Sequence, residues 1–326
     1  MPLPFWEWMI RGDEATATKR RRGLEKLGFR LREGKFKSAY GPYRARDLFN
    51  IPLNREEGPI WTFDRMGATR SSLPDGRVVC IGGEHEDFYD PDFFIYNDIV
   101  VFTPHDQIEI YGYPKEVFPP TDFHSATVVH DHIIIIGGLG HRNERRPGHT
   151  PVYSLDLSSY RVSQIPTSGE MPGWISKHEA SYEQTDIITI RAGQLAQERD
   201  SQQQFCRNFE DYALDLKSFV WRRLTDRNWR EFSIRQEKGE LFVLERDPKP
   251  ETLIPRSIPH VILPSEGNAD VRFLVAEVPV SLTIDVTHIE VVVEGNLHES
   301  VLGPLVEEIR ANTEAQVGRC CTLRQL

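Results

Sequence analysis

The chain has 326 residues, 39% of them hydrophobic and 27% charged, with 39 Lys and Arg against 49 Asp and Glu. That composition supports a sizeable core, and 17 Phe, 10 Tyr and 6 Trp exclude a chain disordered throughout. The net charge of −10 argues against overall attraction to nucleic acid or to an anionic membrane.

The charge is unevenly placed. Residues 1–50 carry net +6 and the remainder net −16, so a basic leader precedes an acidic body. Met1–Trp8 lacks a basic segment before an apolar run and does not read as a signal peptide. Asp13 is placed to cap a helix over residues 14–27 that ends at Gly28. Its basic run Lys19-Arg20-Arg21-Arg22 is either a solvated helix face or a minimal nuclear-localisation patch. Phe29–Lys37 alternates apolar and basic residues and is expected to be a strand. Residues 1–58 thus form the expected N-terminal leader.

Three segments then share one layout. Arg70-Ser-Ser-Leu-Pro-Asp-Gly-Arg-Val-Val-Cys-Ile leads to the doublet Gly82-Gly83. His124-Ser-Ala-Thr-Val-Val-His-Asp-His-Ile-Ile-Ile-Ile leads to Gly137-Gly138, and His178 opens a third segment that ends at Ala192-Gly193. The doublets are spaced 55 residues apart, twice. Downstream come Tyr96-Asn-Asp-Ile-Val-Val-Phe, Tyr153-Ser-Leu-Asp-Leu and Tyr212-Ala-Leu-Asp-Leu, and a fourth strand follows each, the third one containing Trp221. A period of about 50 residues holding four short strands is the signature of a β-propeller blade. The strand before each doublet is apolar on both faces, as a strand sandwiched between neighbouring sheets should be. Glycine at its end permits positive φ and close backbone approach.

Residues 59–225 resemble the kelch repeat family through Arg70, Gly82, Gly83 and Tyr96, then His124, Gly137, Gly138 and Tyr153, then His178, Gly193, Tyr212 and Trp221. The third doublet departs from the family pattern at Ala192, and the Trp position is filled only in the third unit. The resemblance implies an all-β fold: a kelch-like β-propeller of about four to six four-stranded blades, with short N- and C-terminal helices. The propeller is expected to span 59–295. Clear blades occupy 59–225, and degenerate ones fill 226–295 around the inner-strand candidates Glu240–Glu245 and Ile289–Gly295. Trp229–Ile234, Pro259–Leu263, Val271–Val280 and Ser281–Val286 are available as their accompanying strands. Residues 296–326 read as a helix with Pro304 at its first position and Leu305, Val306 and Ile309 on one face, followed by a solvent-exposed tail.

The four cysteines, Cys80, Cys206, Cys320 and Cys321, show no metal or disulfide spacing. They suit a reducing compartment, and the expected location is cytoplasmic. No run of 18 apolar residues suggests a membrane span. No catalytic signature is present, and no metal or cofactor is assigned. Glu84-His85-Glu86-Asp87 and His130-Asp131-His132 put imidazoles beside carboxylates, but one loop rarely supplies a complete ligand set. His124 and His178 open their segments at equivalent positions, which suits a packing or hydrogen-bond role: a catalyst is needed once, whereas a repeat feature recurs.

The kelch resemblance also implies that the loops after the doublets share one face. These are Glu84–Phe94, Leu139–Thr150 and Gln194–Glu210, all rich in charge. Glu84, His85, Glu86, Asp87 and Tyr89 on the first, His141, Arg142, Arg145 and Arg146 on the second, and Arg199 on the third are the candidate binding residues. An acidic loop beside a basic one suits a protein or peptide partner, and the expected role is a non-catalytic adaptor, scaffold or inhibitor. The alternatives are a propeller enzyme acting on a small molecule in a central pocket and an oligomeric assembly subunit.

Overall fold

The glycine doublets mark where the strands turn. The computed structural model describes residues 65–85, 94–104, 108–183, 185–199, 202–237, 249–264, 269–285 and 287–326. The basic leader with its expected helix and strand, Glu86, Asp87, Tyr89 and the expected strand at Glu240–Glu245 lie outside the described residues. The chain divides into two units, the first closing at Thr225 and the second opening at Asp226. The described elements are mostly strands, in several largely antiparallel sheets.

In the first unit, β1 (Thr69–Ser72), β2 (Val78–Ile81), β5 (Asp98–Phe102) and β6 (Ile108–Gly112) form an antiparallel meander. The short ribbon β3 (Glu84–His85) and β4 (Phe94–Ile95) interrupts it. A second meander follows: β7 (Ser125–Val129), β8 (His132–Ile136), β9 (Val152–Asp156) and β10 (Val162–Gln164). The third holds β13 (Glu179–Tyr182), β14 (Ile187–Arg191), β17 (Tyr212–Asp215) and β18 (Val220–Arg223), with β11 (Ser168–Gly169) added parallel to β18. β12 (Trp174–Ser176) pairs instead with the hairpin of β15 (Gln194–Arg199) and β16 (Gln202–Arg207). The 194–210 segment, expected as a loop, is thus mainly a hairpin.

The second sheet has two apolar faces. Ile133 and Ile135 of β8 join the first sheet's Val79, Ile81, Ile99 and Val101 in one core. Ile134 and Ile136 join Ile188, Ile190, Leu214 and Trp221 in another. Side chains alternate along a strand, so four consecutive isoleucines fill two cores at once. β7 touches both β1 and β13, so the opening strands of the three sheets lie side by side.

Equivalent residues stitch each sheet to the next. The second glycine of the doublet donates to the connection that precedes the next sheet: Gly83 N to Thr121 O (2.8 Å) and Gly138 N to Ile175 O (2.9 Å). His124 Nε2 meets Thr69 Oγ1 at 2.9 Å, and His178 Nε2 meets Ser125 Oγ at 2.8 Å. All six doublet residues have positive φ, Ala192 included, and a Cβ at Gly137 would collide with the Ile175 carbonyl oxygen. The Leu-Asp-Leu motifs are turns. Asp156 Oδ1 accepts from Ser158 N and Ser159 N at 3.0 and 2.7 Å, and Asp215 Oδ1 from Lys217 N and Ser218 N at 2.9 and 2.8 Å. Tyr96, Tyr153, Tyr212 and Trp221 are all buried.

The second unit differs from the further blades expected over 226–295. β19 (Arg230–Gln236), β20 (Val261–Leu263), β21 (Val271–Val275), β22 (Val278–Ile284), β23 (Ile289–Val293) and β24 (Cys321–Gln325) form one antiparallel sheet of six strands, ordered β20-β21-β22-β23-β19-β24. A short helix, α1 (Pro250–Leu253), precedes β20. A second helix, α2 (Glu299–Val317), packs Leu302, Leu305, Val306 and Ile309 against Phe232, Phe273, Leu282 and Val291. β21 buries alternate residues Val271, Phe273 and Val275, the pattern of a sheet covered on one face. Residues 276–277, both at positive φ, make the two-residue turn into β22.

The C-terminal helix starts five residues before Pro304, capped by His298, whose side chain accepts from Ser300 N. It ends at Gly318, which is left-handed and donates its N–H to Glu314 O at 2.8 Å. The expected exposed tail is the edge strand β24, paired with β19, and Cys321 is buried while Cys320 is exposed.

Candidate functional site

Beyond the Gly137-Gly138 turn, three segments of the first unit enclose a cleft of about 430 Å³. One wall is the connection from β6 to β7, with Lys115, Glu116, Pro119 and Pro120. The other is the loop after β8, with Asn143, Glu144, Arg146 and His149. Tyr153 of β9 and the doublet lie between them, with Gln164 and Trp174 also lining the space.

The walls are held by side chains whose polar groups are already used. Lys115 Nζ pairs with Glu144 Oε1 at 2.6 Å and ties the two walls together. Trp174 Nε1 donates to Leu139 O at 3.0 Å and fixes the plane of the indole. Thr150 Oγ1, fully buried, donates to Gly173 O at 2.7 Å and accepts from Gly173 N at 3.1 Å. Arg145 donates to Leu139 O, Gly140 O and Gln203 Oε1 at 3.0, 2.9 and 2.7 Å, and lies over the Phe205 ring. A Cβ at Gly140, which has φ +61, would meet Pro120 O and Trp174 Cζ2 at 3.5 and 3.8 Å, so the glycine adjoins the indole at that end.

Beneath the loop lies a buried acid group. Asp122 is fully buried, and its Oδ1 accepts from Gly140 N at 2.7 Å. Burial raises its carboxyl above the ordinary carboxylate range, against the opposing pull of Gly140 N–H, the hydrogen-bonded Glu84 side chain and the Arg145 charge. Glu84 is itself buried, and its backbone bridges Met66 in both directions at 3.0 and 2.8 Å. It supports the face from below and is not a rim residue.

Other residues that line the cleft are of another kind. Among the described residues, the side chains of Asn143, Arg146, His149 and Gln164 and the Tyr153 hydroxyl make no hydrogen bond to protein. Burial lowers the His149 imidazole below its usual range, and the Arg146 charge adds to that shift. Burial raises the Tyr153 phenol, with Arg146 pulling the other way. Arg146 therefore lies within electrostatic reach of both.

The residues expected on the binding face fall into separate roles. Arg146 lines the cleft, whereas Arg145 is committed to the fold. Arg142 is exposed within a short 3-10 turn that follows the half-buried His141. His85 is half-buried and pairs with Phe94 across β3 and β4. Arg199 ends β15, in register with Gln202. His149, Trp174, Lys115 and Asp122 belong to the site although the repeat pattern did not mark them. The one available signal was the aromatic Trp174 in a Pro-Gly-rich connection just ahead of His178.

His124 and His178 are buried and hydrogen-bonded between sheets, as their repeated position suggested. Among the described residues no three His, Cys, Asp or Glu side chains are grouped to hold a metal ion, and no helix is long and apolar enough to cross a membrane. No protein-family model matches the chain, and a search of curated proteins returns no relative.

Proposed function

We propose that residues 65–225 are part of a kelch-like β-propeller whose doublet-end cleft binds a protein or peptide segment. The propeller reading is supported by the four-stranded meanders, the two cores shared between successive sheets, and the repeated Gly–carbonyl and His–hydroxyl links. The binding reading is carried by one observation. The polar groups that build the cleft are satisfied within the fold, while several side chains that line it make no hydrogen bond to protein among the described residues. A cleft braced in this way loses little conformational freedom on binding, which favours recognition over rearrangement.

Selection of a displayed random-dodecapeptide library on the full chain tests this. The expected result is a family of enriched peptides that lose at least tenfold in affinity for Trp174→Ala, a substitution that removes one end of the cleft. Failure to enrich any family, or enriched peptides that bind Trp174→Ala unchanged, would overturn the proposal.

A further inference from the structure

The chemistry lining the cleft is asymmetric. Lys115 is neutralised by Glu144, its partner across the opening at 2.6 Å. Arg146 has no ion pair among the described residues, and its guanidinium is exposed on the cleft wall. Its neighbours are the His149 imidazole and the Tyr153 hydroxyl, two further groups able to donate. All three line the same cleft, the Arg146 charge reaches the other two, and none is used by the fold, so together they match the lone pairs of a planar two-oxygen acceptor. The indole of Trp174, which lines the same cleft, is fixed by its bond to Leu139 O and adjoins Gly140.

We infer that the bound segment presents a carboxylate side chain, Asp or Glu, to Arg146, His149 and the Tyr153 hydroxyl, and sets an apolar neighbour on Trp174. This rests on the peptide-binding reading above and names the group that reading selects. The cleft's remaining charges agree with a single anion. Glu144 also reaches Tyr153 but is paired with Lys115, and Glu116 belongs to the opposite wall, which leaves Arg146 as the cleft's unpaired cation among the described residues. A guanidinium also fixes the orientation of a carboxylate through two parallel hydrogen bonds, which an ammonium cannot do.

The arrangement carries a pH signature. Burial and the Arg146 charge both hold His149 in its neutral form. The other charged or titratable groups around the cleft are Glu144 on its own loop, Lys115 and Glu116 across the opening, and Tyr153 on β9. A carboxylate bound beside His149 offsets the Arg146 repulsion and favours the imidazolium. Binding therefore strengthens as pH falls through the range in which the bound imidazole takes up its proton.

The test uses the enriched peptides on the full chain. They are expected to share one Asp or Glu position. Its replacement by Asn or Gln should weaken binding by roughly tenfold or more, as loss of a charge-assisted pair does. On Arg146→Ala the acid and amide peptides should bind equally, and Arg146→Lys should restore only part of the difference. Arg146 is exposed, so its replacement leaves the fold intact and unchanged thermal unfolding serves as the control. The rise in affinity on acidification should flatten in His149→Gln. Enriched peptides with no fixed acid, or an acid-to-amide change that costs the same on wild type and Arg146→Ala, would overturn this inference while leaving peptide binding in place. Absence of any enriched family would overturn both.

Discussion

Residues 65–225 and residues 226–326 cover their apolar strands by different means. The first unit sets small sheets side by side, so one strand, Ile133–Ile136, serves two cores. The second widens a single sheet to six strands and lays one helix across a face of it. The difference teaches where stability resides. In the tandem unit it depends on links between equivalent residues of successive sheets, such as Gly138 N to Ile175 O. In the wide sheet it depends on one shared core around Phe273 and Leu305. It also separates structure from function, because tandem turns leave their connecting loops at one end, where a cleft can form.

The comparison can be broken most forcefully at Phe273, which is fully buried beneath α2. Phe273→Ala should cost about 3–5 kcal/mol. Hydrogen exchange should then accelerate across 226–326 while the tandem sheets keep their protection. Equal loss of protection in both units would contradict the division.

A smaller effect is expected at the link between sheets. Gly137→Ala places a side chain at φ +69 against the Ile175 carbonyl oxygen. It should cost about 2–3 kcal/mol, read from denaturant midpoints. Faster exchange should appear in both the second and third meanders, because Ile175 belongs to the connection ahead of the third. Opening confined to β8 would show that the sheets do not depend on one another.

Acid sharpens the contrast further. Burial, with a contribution from His178, pulls His124 down to about 3, and burial pulls His178 down to about 4. Both lie below the ordinary histidine value near 6.5. The unfolded chain therefore takes up protons first as pH drops, and the native state is favoured above about 6.5. Stability is lost as pH falls from there towards 4, by up to about 1.4 kcal/mol per pH unit for each histidine. In the second unit no described histidine is fully buried, and half-buried His288 is lowered by burial, one such group against two. Calorimetry between pH 7 and 4.5 should show the tandem unit weakening faster, and parallel weakening of the two units would argue against it.

Much of the tandem unit was legible because its signals are local. Glycine at positive φ, Asp turns and alternating or continuous apolar runs each express a backbone or burial requirement that residue type alone meets. The same reasoning failed on 226–326. The run Ile289–Val293 satisfies a strand's pattern whether its neighbours form a blade or a wide sheet, and the pattern does not name the partner strand. The polar β15–β16 hairpin was missed because Gln202, Gln203 and Gln204 offer no apolar alternation, and its order comes from pairing and from Arg145. Arg145 and Arg146 are adjacent and chemically identical in the sequence. Only the structure separates the one that ties down the loop from the one that lines the cleft. His149 and Trp174 converge there across 25 residues of sequence through pairing that no single segment encodes.

If a peptide binds in the cleft of the tandem unit, that cleft alone should gain protection. Hydrogen exchange of the full chain with and without a saturating enriched peptide tests it most directly. Binding in the cleft should add protection over residues 113–121, 139–153 and 171–176, with none over 226–326, and the added protection should disappear in Trp174→Ala. Protection that appears in 226–326, or nowhere within the cleft segments, would contradict it.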